Sequence, residues 1–145
     1  MYIATVATSP ESALRIIDHL VFRVADLDAT ERFYSAVLCQ TPERDDGSLM
    51  YSVGATRLFF TLPDDSTLAI AHDKERIGLN HLAFGVRSLE ELQAIAARLT
   101  EQEIANSGIV LDHYGAREFI WLDDPNGMRI EFYLRTNDSS GVSNG

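Results

Sequence analysis

With a single cysteine, the chain of 145 residues can form no intrachain disulfide. That suits a reducing compartment, and a cytoplasmic location is the expectation. Cys39 itself reads as a small apolar residue at a helix end, because a lone cysteine is a candidate nucleophile only beside a base. Long apolar runs are missing too. None reaches the roughly 18 to 20 residues that cross a bilayer. The opening MYIATVATSPESALRII has no basic start followed by an apolar stretch, so it does not read as a signal peptide. Cations are scarce: 12 Lys and Arg stand against 22 Asp and Glu, a formal net charge of −10. Such a surface repels phosphate backbones and anionic headgroups, so neither nucleic acid nor a membrane is an expected partner. The charge says little about a small molecule held in a pocket.

What is present is enough for one ordinary domain. Hydrophobic residues make up 46% and charged residues 23% of the chain. An internal repeat organises it. Residues 18–27, DHLVFRVADL, match residues 80–89, NHLAFGVRSL, at an offset of 62. His19 falls on His81, Leu20 on Leu82, Phe22 on Phe84, Val24 on Val86 and Leu27 on Leu89, and Asp18 faces Asn80 as a near match.

Each copy predicts a strand, a helix and three further strands. In the first, residues 17–24 alternate and are β-branched or aromatic. Asp26 or Asp28 can cap a helix to about Val37. A strand is possible over 41–45, and 49–53 with 57–62 reads as a hairpin around Gly54. In the second copy, 81–86 is a strand. Ser88 with Glu91 has the form of a capping box, opening a helix to about Gln102 with Leu89, Leu92, Ile95, Ala96 and Leu99 on one face. Strands over 109–112, 118–123 and 128–134 follow, the last two split by the turn Asp124-Pro125-Asn126-Gly127. The modules are therefore expected at about 16–63 and 79–135, with a linker at about 64–78 and a disordered tail at 136–145.

Strand side chains alternate between faces. Leu20, Phe22 and Val24 share one face of the first strand, and His19, Val21 and Arg23 the other. Leu82, Phe84 and Val86 repeat the apolar set, opposite His81, Ala83 and Gly85. In the last strand Ile130, Phe132 and Leu134 oppose Arg129, Glu131 and Tyr133. Two imidazoles and a carboxylate thus lie opposite the apolar stripes. They form a standard set for a divalent first-row ion with coordination positions left open. On spacing alone a second reading stands beside it: two hydrogen-bonded structural histidines inherited from one ancestor, and an exposed strand glutamate.

At these residues the sequence resembles the superfamily of glyoxalase I, fosfomycin- and bleomycin-resistance proteins and extradiol ring-cleavage dioxygenases. The matching pieces are Asp18-His19-Leu20, Asn80-His81-Leu82-Ala83-Phe84 and the run from Asp124 to Glu131, within about residues 16–135. The resemblance implies an α+β fold in which two βαβββ modules form a cupped, open β-barrel around a metal. It implies His19, His81 and Glu131 as ligands, and a homodimer.

Within the superfamily, glyoxalases and epimerases take a fourth ligand, Glu or Gln, from the last strand of the first module. Here that strand reads Arg57-Leu58-Phe59-Phe60-Thr61-Leu62. The fosfomycin branch has a Ser- and Gly-rich loop where this chain has His113-Tyr114-Gly115-Ala116-Arg117-Glu118. The extradiol motif fits best: His113 stands in its His position, Ile120-Trp121 in its apolar–Tyr position, and Glu131 follows the Asp-Pro turn. Trp121 replaces the motif's Tyr, and an indole donates a hydrogen bond but exchanges no proton. The resemblance therefore implies His113 as acid/base, Trp121, Tyr133, Phe60 and Arg23 around the substrate, and Fe(II) as metal, with Mn, Zn or Ni as alternatives. The leading expectation is ring cleavage of a small vicinal diol. A metal-dependent lyase, isomerase or thiol transferase is one alternative. A metal-free protein that binds a cationic antibiotic is another.

Overall fold

In the computed structural model, residues 13–114 and 117–135 are described; the tail expected to be disordered, 136–145, lies outside them. The elements run β1 (His19–Arg23), α1 (Leu27–Leu38), β2 (Glu43–Arg44), β3 (Ser48–Val53), β4 (Thr56–Thr61), a single 3-10 turn (Ser66–Leu68), β5 (His81–Val86), α2 (Leu89–Glu101), β6 (Val110–Leu111), β7 (Glu118–Asp123) and β8 (Arg129–Leu134). Local chemistry sets the helix starts. The Asp26 carboxylate accepts from Ala29 N–H at the head of α1. Ser88 accepts from Glu91 N–H at the head of α2, and the Glu91 carboxylate reaches back to Arg87 N–H, one residue earlier than a strict capping box. Leu92 and Leu99 are buried under α2, but Leu89 is 38% exposed. It is the first residue of the helix, before the buried stripe has turned onto the sheet.

Two α+β modules of identical topology result, each a four-stranded sheet, in the orders β1-β4-β3-β2 and β5-β8-β7-β6. The first and last strands of each module pair in parallel, His19 beside Arg57 and His81 beside Arg129. Among the described residues the sheets do not close into a barrel, and no strand of one pairs with a strand of the other. α1 covers β3 and β4, α2 covers β5, β7 and β8, and the helices meet. One core joins the inner faces, Leu58 and Phe60 from the first sheet and Phe84, Ile120, Ile130 and Phe132 from the second. Phe60, expected at the substrate, is instead 0% exposed in this core, with ring centroids 4.3 Å from Tyr34 and 5.1 Å from Phe22. Alternation forces the correction: Phe60 is in register with inward-facing Phe22, and Phe59 with outward-facing Val21.

The β7–β8 turn ties the modules together. The buried Asp124 carboxylate accepts from Tyr34 O–H of α1 at 2.6 Å and from the N–H groups of Asn126 and Met128. Asn126 accepts from Ala25 N–H just past β1, and its carbonyl accepts from His72 N–H in the linker. Gly127 closes the turn at φ +82°, where an added Cβ would come within 2.9 Å of the His72 carbonyl oxygen.

Candidate functional site

Both repeat histidines lie on the outer faces of their sheets, opposite the core. The residue before each one holds its ring. His19 Nδ1–H donates to the Asp18 carboxylate at 2.7 Å. His81 Nδ1–H donates to Asn80 Oδ1 at 2.8 Å, and Asn80 Nδ2 donates to the Lys74 carbonyl, which leaves Oδ1 as the atom facing the ring. With Nδ1 carrying the hydrogen, each Nε2 keeps its lone pair, the form that binds a metal. The hydrogen bond from His19, followed by that from Arg57, holds the Asp18 carboxyl below its ordinary value.

On β8, Glu131 sits in register with Ala83 on one side and Trp121 on the other. Its carboxylate lies 3.5 Å from His81 Nε2. Both atoms are electron-pair donors when the imidazole is neutral, so their approach asks for a cation or a proton between them. The donor chemistry fits a divalent ion.

The third expected ligand is not with them. His19 lies on the other sheet, in edge contact with the Phe59 ring at 5.8 Å. Among the described residues no three His, Cys, Asp or Glu side chains gather within the chain to hold an ion. β1 and β5 are edge strands out of contact with each other.

Around His19, the outer face of the first sheet carries Val21, Arg23, Met50, Arg57, Phe59 and Thr61. Arg23 donates to the Leu62 carbonyl at 2.8 Å and to Thr61 Oγ1. On the second sheet Trp121 is 36% exposed, beside Glu131 rather than in the core. Tyr133 stacks on Phe119 on the same face. His113 is in an exposed turn beyond β6, its ring 4.6 Å from that of Tyr114. Among the described residues it makes no hydrogen bond or ion pair with Glu131 or Trp121. The roles of Asp18 and Asn80 escape a reading by strand faces alone. The signal for them was a short hydrogen-bonding side chain before both histidines of the repeat.

The family model of the Glyoxalase/Bleomycin resistance protein/Dioxygenase superfamily matches residues 16–132. The chain belongs to this superfamily. Solved structures with the same fold include a glyoxalase family protein of Enterococcus faecalis, 23% identical at TM-score 0.67, covering 83% of this chain and 98% of that one. Another is a lactoylglutathione lyase of Agrobacterium tumefaciens, 20% identical at TM-score 0.65, with coverage of 84% and 95%. The uncharacterized protein YaeR of Escherichia coli (strain K12) is 34% identical over 59 residues, which span 41% of this chain and 43% of YaeR. At these identities the solved structures establish the fold and leave the reaction open. Among the described residues no helix is long and apolar enough to cross a membrane.

Proposed function

We propose that this superfamily member is a metal-dependent enzyme that works as a homodimer and cleaves the ring of a small vicinal diol. Each centre takes His19 from one protomer and His81 and Glu131 from its partner. Bound there, a divalent ion, Fe(II) first among the candidates, supplies open coordination positions for two neighbouring oxygens of a substrate and for dioxygen. The chain's own residues do the rest. Asp18 and Asn80 hold the imidazoles in the binding tautomer. Phe59, Trp121 and Tyr133 offer apolar walls that orient a flat ring and exclude water.

The observation that carries this reading is the outer face of β4. It presents Arg57, Phe59 and Thr61, so no carboxylate or amide stands where lyases and epimerases of the superfamily take a fourth ligand. The dimer is supported by the two open edges. β2 and β6 are two-residue edges, whereas β1 and β5 are longer and each begins at a ligand histidine. Sheet edges of this kind are ordinarily covered.

Two measurements test the reading. Protein purified without chelators and loaded with Fe(II) is expected to consume oxygen with a panel of catechols. Isomerisation of a glutathione hemithioacetal without oxygen uptake would replace ring cleavage by lyase chemistry. For the shared centre, His19→Ala and Glu131→Ala chains are co-expressed with different tags. The isolated heterodimer should regain one metal ion per dimer, while each variant homodimer binds none. An empty heterodimer would place all three ligands within one chain.

A further inference from the structure

Beside the ligand pair on β8 stands an arginine that neither the metal nor the core requires. Arg129 is in register with His81 on one side and with Asp123 on the other, and it shares its face with Glu131. A strand arginine on an outer face ordinarily extends into water. This one lies over an aromatic ring instead, its guanidinium carbon 4.0 Å from the centre of the Trp121 ring. Asp123 holds one edge of the group, at 2.6 Å from Nε and 3.4 Å from Nη2. The side chain is only 18% exposed, and Nη1 has no hydrogen-bond partner among the described residues.

The other cations of the outer faces are held differently. Arg57 bonds to Asp18, the group that orients His19, and its side chain is half exposed. Arg23 is tied to the Leu62 carbonyl at the far end of β1. Arg57 also lies over a ring, Phe59, but at 5.7 Å; among the described outer-face arginines of the two sheets, Arg129 is the one that combines close ring contact, a shielded position and an unpaired N–H group beside His81. A guanidinium fixed in this way gives up little freedom on meeting a planar anion, and low exposure strengthens the contact.

We infer that Arg129, stacked on Trp121, sets specificity at this site by receiving a carboxylate carried by the substrate next to its metal-binding oxygens. The inference rests on the reading above that the site takes a vicinal diol. The substrate class is then a diol acid rather than a neutral catechol.

Protocatechuate and its amide differ at one substituent, chiefly in charge. Their affinities for the Fe(II)-loaded protein under argon, measured by calorimetry, separate the two ideas. The acid is expected to bind about tenfold or more tightly than the amide, the scale of one charge-assisted hydrogen bond. Arg129→Gln should bring the two together and leave the amide's affinity unchanged. Arg129→Lys, which keeps the charge but loses the fork, should fall between. A preference for the acid that survives in Arg129→Gln, or no preference in the native chain, overturns the inference and leaves the diol reading standing. If neither compound binds, the diol reading fails, and benzoate with the metal-free protein decides on Arg129. Trp121 is the only tryptophan of the chain, so its fluorescence reports the stack directly. A saturable change in the native protein that Arg129→Gln abolishes sustains the anion site, and a flat titration refutes it.

Discussion

At corresponding places in the two modules, Asp18 and Asn80 make the same hydrogen bond with different strength. A carboxylate behind an imidazole raises its basicity more than an amide does. Asp18→Ala is therefore expected to weaken metal affinity about 10- to 100-fold, read by competition with a chelator, with the melting of the metal-free protein little changed. An unmoved affinity would mean that Nδ1 is not what positions His19. Cys39 shows another single-residue effect. It ends α1 in the left-handed region at φ 54°, a conformation that suits glycine, and its side chain is exposed. Cys39→Gly should leave the site alone and change stability by less than about 1 kcal/mol, toward greater stability, because relief of the strained φ outweighs the freer unfolded chain. A drop in melting temperature would show that the thiol packs more than its exposure suggests.

Among the elements, the β7–β8 turn carries hydrogen bonds that tie one module to the other. Gly127→Ala places a side chain at positive φ and against the His72 carbonyl, and should destabilise by more than about 1 kcal/mol in chemical denaturation. Tyr34→Phe removes one of the hydrogen bonds to buried Asp124 and should cost about 1–3 kcal/mol. Tyr34 also contributes to alkaline behaviour. Burial, then the Asp124 charge, raises its phenol well above the ordinary 10.0. The folded chain thus keeps a proton that the unfolded chain releases near that value, so this contribution is whole below it and falls as pH rises through the folded pKa. Destabilisation from this group should begin as pH rises above the ordinary 10.0 and be absent in Tyr34→Phe. Identical alkaline curves for the two proteins would assign the transition to other groups.

For the whole molecule, the decisive quantity is mass in solution. Two longer edge strands, each starting at a histidine of the repeat, and exposed Val21 and Trp121 on the outer faces favour a paired state. Light scattering at micromolar concentration should give twice the mass of the chain. A monomer that still binds one ion tightly would require β1 and β5 of the same chain to come together.

Much of this protein was legible from local pattern. The repeat, the Ser88 cap, the Asp-Pro-Asn-Gly turn and the placing of His19, His81 and Glu131 opposite the apolar stripes follow from rules acting over one to four residues, namely strand alternation, helix period and turn chemistry, while the cap of α1 stayed open between Asp26 and Asp28 until the structure placed it at Asp26. Phe59 and Phe60 mark the edge of that legibility. Consecutive phenylalanines satisfy either face, and only register against Val21 and Phe22 decides which one is buried. The joining of sheets lies further out of reach. Which edge meets which depends on packing between elements some sixty residues apart, a balance of core burial and helix contact that no local period encodes. Tertiary structure alone therefore decided that His81 meets Glu131 while His19 stands on the other sheet, and that Arg129 lies locked on Trp121 beside them.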